Sequence, residues 1–185
     1  MPDFIIKPTL RGHSVTLVPA TVEHVPDLMP MLTDPEISRL TGSRGDIDPD
    51  VIKNWYATRA EQSDRLDLAV IDNSTGSCVG EAVLNELDSD NQSCNFRIAL
   101  VPVALGRGFG TEATRLIVGY GFEKLGLHRI SLEVYAFNPR AKRAYEKAGF
   151  VEEGRRRHAL QWDGEWVDAI MMSMLVTEWQ NQRDE

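Results

Sequence analysis

Three glycines alternate between Leu105 and Ala113, at Gly106, Gly108 and Gly110. An apolar helical pattern starts directly behind them: Ala113, Leu116, Ile117 and Tyr120 recur at i, i+3, i+4 and i+7. A glycine-rich turn that opens a helix leaves backbone N–H groups pointing into a concavity that no side chain fills, at the positive end of the helix dipole. That arrangement suits a phosphate or pyrophosphate, and Arg107 adds a guanidinium whose fork fits phosphate oxygens. Gly108-x-Gly110-x-x-Ala113 also fits the dinucleotide fingerprint, with Glu133 near the spacing of a ribose-binding acid. Three features count against that reading. Pro102 interrupts what should be a central strand, Glu133 lies inside an apolar run rather than at its end, and too few strand–helix units follow. On the loop alone, a ligand site and an unliganded turn stay equally open.

The rest of the chain supplies elements around this loop. Alternation from His13 to Pro19 predicts a first strand. Thr21 reads as a helix N-cap with His24 at the box position, Asp34-Pro35 opens a second short helix, and Asp48 or Asp50 caps a third. Leu66–Ile71, Cys78–Leu87 and Ser93–Val101 read as an antiparallel meander. The helix after the glycine loop runs to about Leu125, before Gly126, and a strand covers Arg129–Phe137. Pro139 then starts a helix that Gly149 ends, and Phe150–Leu160 with Trp166–Val176 form a final hairpin about Trp162–Glu165. The expected fold class is α+β, a mixed, mostly antiparallel sheet of about seven strands flanked by helices, with parallel pairing needed only across the glycine-loop helix.

Downstream of the loop, the strand-like run His128–Asn138 leads into Pro-Arg-Ala-Lys-Arg-Ala-Tyr-Glu-Lys-Ala-Gly-Phe150. At this point the chain resembles the GNAT superfamily of N-acetyltransferases. Arg107-Gly-Phe-Gly-Thr-Glu-Ala113 looks like their acetyl-coenzyme A loop. Asn138-x-x-Ala141-x-x-x-Tyr145-Glu-Lys147-x-Gly149-Phe150 looks like their second signature. The closer likeness is to the Rim-type branch, which acetylates ribosomal-protein N-termini, and to its spermidine- and antibiotic-modifying relatives. The resemblance implies the acyl-coenzyme A N-acyltransferase fold in a single domain over residues 1–185. Acceptor-side helices would fall near residues 20–63 and the acetyl-CoA core near 93–150.

The resemblance also assigns roles. The backbone from Arg107 through Gly108, Phe109 and Gly110 to Thr111 would cradle the pyrophosphate of acetyl-CoA. The pantetheine would lie in a gap where the preceding strand diverges from the next, with the N–H of Val101 as oxyanion donor and Val103 holding the arm. Tyr145 would act as general acid beside the sulfur, although on pattern alone it is a core aromatic among alanines. Asn138 would contact the pantetheine, or simply cap its helix. Arg140, Lys142, Arg143 and Lys147 form a basic face that could meet the 3′-phosphate of coenzyme A. Many relatives place a glutamate on the strand before the loop, where this chain has Asn95, which cannot be a base. Glu81 and Glu133 are the substitutes, and Glu81 interrupts an apolar run. A strong base is dispensable for an α-amine, whose pKa is about 7.7–8.0, more than for a lysine at about 10.4. The loop opens with Leu105 rather than the Arg, Gln or aromatic residue common in the family, which leaves the backbone cradle intact.

The net charge of −8 argues against nucleic acid or an anionic membrane as partner and is compatible with a cationic, amine-bearing acceptor: a peptide N-terminus, a polyamine or another small amine. The four histidines show no ligand spacing, so no metal is expected. Cys78 and Cys94 read as free thiols, and no leader or membrane span is legible, so a cytoplasmic location is expected. A homodimer is an admissible assembly. The alternative to an enzyme is a non-catalytic acyl-CoA-binding sensor or interaction module on the same fold, which the Asn95 departure keeps open.

Overall fold

The computed structural model describes residues 1–45 and 47–184. Among the described residues, eight strands form one sheet: β1 (Leu10–Arg11), β2 (Val15–Pro19), β3 (Leu66–Asp72), β4 (Cys78–Asp88), β5 (Ser93–Leu100), β6 (Arg129–Tyr135), β7 (Val151–Trp162) and β8 (Glu165–Leu175). Their order across the sheet is β1-β2-β3-β4-β5-β6-β8-β7, and among the described residues only β5 and β6 run parallel. The helix that makes the crossover between them is α4 (Phe109–Glu123), as a parallel connection requires. The expected mixed, mostly antiparallel α+β sheet is therefore present, with one strand more than the pattern gave. β1 is two residues long, too short to show alternation.

Local chemistry sets the helix starts. Asp34 caps α2 (Pro35–Thr41), accepting from the Ile37 N–H at 2.8 Å. Asp48, rather than Asp50, caps α3 (Pro49–Thr58) by accepting from the Asp50 N–H. Asn138 caps α5 (Pro139–Ala148) through the Ala141 N–H at 3.1 Å. Ahead of α1 (Val25–Leu32), one 3-10 turn intervenes, and His24 fills the box position: its Nδ1 accepts from the Thr21 N–H at 3.0 Å. A C-terminal helix, α6 (Val176–Asp184), was not expected. Its sequence carries no apolar stripe. It is held by Trp179, which packs on Phe122 and lies so close to Gly119 that a Cβ there would sit 2.7 Å from the indole.

Strand alternation sorts the central residues onto two faces. Leu84, Phe96, Ile130 and Leu132 lie on one, against Ile117, Val118 and Phe122 of α4 and Ala148 of α5, all buried. Each large aliphatic side chain buried there contributes about 1.5–3 kcal/mol. Glu81, Asn95, Arg97 and Tyr135 lie on the other face, which α2 and α3 overhang: Tyr56 of α3 bonds Glu81, and Gly42 at the end of α2 sits against the Tyr135 ring. Cys78 and Cys94 are buried and not joined in a disulfide.

Candidate active site

β5 and β6 pair only from Ser93↔Arg129 to Asn95↔Ser131. β5 nevertheless runs on to Leu100 against β4, and β6 to Tyr135 against β8. Beyond Asn95 the two strands part and leave a cleft in the middle of the sheet. β5 is then turned by a 3-10 segment at Pro102–Ala104, and the chain enters the glycine loop.

The loop has the backbone its glycines imply. Gly106 and Gly108 have φ of +78° and +82°, a region that costs a side chain strain, and a Cβ at either would project into open space. The first α4 bond runs from the Glu112 N–H to the Gly108 carbonyl at 3.1 Å, so the amides of Phe109, Gly110 and Thr111 have no acceptor within the helix. The loop is thus a bare anion cradle at a helix N-terminus, which fits a pyrophosphate. The side chains are arranged otherwise. The Arg107 guanidinium, expected to face phosphate, stacks 4.3 Å over the Phe109 ring and pairs with buried Asp72 at 3.2 Å. Phe109 itself is buried, so it and Arg107 offer the cradle backbone rather than side chain. Glu112, in the first turn, accepts from the Ser14 N–H at 2.9 Å and ties the helix to the β1–β2 turn.

The expected oxyanion donor needs correction. The Val101 N–H is not free: it donates to the Val79 carbonyl at 2.9 Å, because the β4–β5 ladder extends one residue past the end of β5. In an antiparallel ladder alternate residues point to opposite edges, so the N–H groups of Ile98 and Leu100 are the ones directed into the cleft. Val103 lies at the mouth and is 83% exposed.

Tyr145 stands at the point of divergence. Its ring meets the edge of Phe96, the residue after the last β5–β6 pair, at 6.2 Å, and of Phe150 at 6.1 Å. The ring is buried, but its hydroxyl has no hydrogen-bond partner among the described residues, and no buried side-chain oxygen or nitrogen there lacks one, so the oxygen reaches open space. Burial pushes its pKa up to about 12. Asn138, Arg140, Arg143 and Lys147 follow on α5. The three cations are exposed, whereas Lys142 is tied to Glu146 and Glu152.

The two candidate bases separate. Glu133 is ion-paired with Arg156 at 2.6 Å, which occupies its carboxylate. Glu81 accepts from the Tyr56 hydroxyl at 2.5 Å, and desolvation raises its pKa, with nearby Asp67 adding to the rise. Asn95 is held by Asn85, to which it donates at 2.9 Å. Tyr56 and Arg97 were missed from sequence. Tyr56 lies 25 positions from its partner, and nothing local marks a mid-strand arginine.

A family model for an acetyltransferase (GNAT) domain matches residues 14–151. Spermidine N(1)-acetyltransferase of Vibrio cholerae is 30% identical over 115 residues, 62% of this chain and 66% of that protein. The Escherichia coli K12 protein of the same name is 31% identical over 134 residues, covering 66% of this chain and 72% of the other. The chain thus spans just under two-thirds of the length of the Vibrio relative. Among solved structures, a GCN5-related N-acetyltransferase from Brucella melitensis superposes with a TM-score of 0.80 at 25% identity, over 97% of this chain and 84% of that one. A spermidine N-acetyltransferase from Vibrio cholerae in complex with CoA and spermine gives 0.84 at 24% identity, over 91% of this chain and 99% of that one, a likeness of fold.

Proposed function

The chain belongs to the GNAT acetyltransferase family, and from that premise we propose that it is an acetyl-CoA-dependent N-acetyltransferase acting on a primary amine, of the Rim-type branch. The carrying observation is the cleft: β5 and β6 part after Asn95, with the bare loop amides at one end and the unpartnered Tyr145 hydroxyl at the point of divergence. Acetyl-CoA supplies an activated acyl group that the amine attacks directly in a ternary complex. The amides of Phe109, Gly110 and Thr111 hold the pyrophosphate, Val103 and Asn138 hold the arm, and Arg140, Arg143 and Lys147 meet the 3′-phosphate. The N–H groups of Ile98 and Leu100 point where charge develops on the acyl oxygen. The Tyr145 hydroxyl gives its proton to the departing sulfur and is restored by the second proton that the nitrogen sheds as the amide forms.

Glu81 takes the proton of the incoming ammonium. Its carboxyl is half-buried and held by Tyr56, and its raised pKa brings it closer to that of an α-amine. The acceptor enters from the face overhung by α2 and α3. A peptide N-terminus, a polyamine or another small amine remains the acceptor class. The test is release of coenzyme A from acetyl-CoA against a panel of peptide N-termini and small amines. Transfer to at least one of them is expected, whereas cofactor binding with no release across the whole panel defeats the reading.

A further inference from the structure

Charge on the acceptor face of the cleft is unevenly committed. Glu133 is bound to Arg156, and buried Asp67 to both Arg59 and Arg65. Glu81 spends one oxygen on Tyr56. Arg97, two residues past the last β5–β6 pair, is exposed and has no ion pair or hydrogen bond among the described residues. It is placed inside the site: its charge is felt by Glu81, by Tyr135 across the cleft, and by Tyr145. In the register, Val83 faces Arg97 and Glu81 faces Ala99, so Arg97 and Glu81 are diagonal neighbours on one face, with backbones about 7–8 Å apart. They do not pair with each other.

A free guanidinium beside a half-committed carboxylate is complementary to a zwitterion. The fork of Arg97 accommodates a carboxylate in bidentate fashion, and Glu81 stands close enough to meet the neighbouring ammonium and take its proton. A polyamine is the opposite case. It needs several uncommitted carboxylates, and on this face Asp67 and Glu133 are engaged, Glu81 keeps one oxygen, and the Arg97 guanidinium beside it is positive.

Resting on the acetyltransferase reading of the same cleft, we propose that Arg97 binds a carboxylate of the acceptor, so that the preferred substrate is an amine with a carboxylate close to it rather than a polyamine. Two sources carry that chemistry: a free α-amino acid, or a peptide whose first residue is acidic.

The test is titration calorimetry on the coenzyme A-loaded protein, with acetylation rates measured in parallel. The ligands are L-amino acids and their amides, peptides beginning with Glu or Gln, and spermidine. Wild type is expected to bind one carboxylate source about 10- to 100-fold more tightly than its neutral counterpart. Arg97→Gln should erase that preference by weakening the acid alone, leaving the neutral ligand and coenzyme A unchanged, and Arg97→Lys should restore part of it. Equal binding of acids and amides, tighter binding of spermidine, no binding of any acid, or an equal loss for all ligands in Arg97→Gln overturns the inference. If acids bind through Arg97 and no acetyl group moves, the enzyme reading fails, and of this one the carboxylate site at Arg97 stands while its claim about the substrate falls. If amides are acetylated as well as acids, the reverse holds.

Discussion

Tyr145 and Glu81 ask for opposite proton states from the same cleft. Tyr145 must keep its proton to donate it, and burial ensures this by raising the phenol to about 12. Tyr145→Phe keeps the packing on Phe96 and Phe150 and removes only the hydroxyl. Turnover should fall about 10²- to 10⁴-fold while coenzyme A affinity holds, read from steady-state kinetics beside a binding titration. The raised pKa also makes stability pH-dependent. The folded value lies above the unfolded 10.0, so this stabilisation is complete below pH 10 and is lost as pH climbs through 12, a change on the order of 3 kcal/mol that the phenylalanine variant should lack in alkaline denaturant titrations. Glu81 must instead be ionised to accept a proton, although desolvation raises its pKa. The rate should therefore rise with pH through that raised pKa, and Glu81→Gln should flatten this acidic limb of kcat/KM. The same sign predicts that the glutamine variant is at least as stable as wild type above the folded pKa, where the wild-type carboxylate is charged and desolvated.

At the scale of elements, α5 couples stability to binding through one residue. Asn138 caps it, accepting from the Ala141 N–H, and stands where the cofactor arm is proposed to pass. Asn138→Ala should cost about 0.5–2 kcal/mol in urea unfolding and also weaken acetyl-CoA. Asn138→Asp keeps the cap oxygen but loses the amide donor, so it should recover stability without recovering affinity. If both variants bind the cofactor as wild type does, Asn138 is a cap and nothing more. Elements like this one were legible beforehand, because a cap, a proline at the first helical position and a closing glycine are contiguous in sequence. β1 and α6 were not legible. One is too short to alternate, and the other is a polar helix anchored by the packing of Trp179 against α4.

Over the whole molecule, a ligand spanning the cleft would bridge both halves of the sheet, since β5 and β6 are joined directly by three residue pairs. Acetyl-CoA at a hundred times its Kd should add about 2.7 kcal/mol of stability and raise the Tm by about 5–10 °C. Gly108→Ala puts a Cβ in the cradle at φ +82°, and it should lose most of that shift besides starting about 1–2 kcal/mol less stable. A full shift in the alanine variant would place the phosphates elsewhere. The sequence by itself determined the mixed sheet, the crossover helix, the glycine cradle and the positions of Tyr145 and Asn138, because each is written in a few adjacent residues whose backbone preferences act locally. Only the tertiary structure decided that Val101 spends its amide on Val79, that Arg107 turns to Asp72, that Tyr56 holds Glu81 and that Arg97 keeps its charge free. Each of those depends on the register and packing of segments far apart in the chain, and a one-residue change in register would reverse which groups face the cleft.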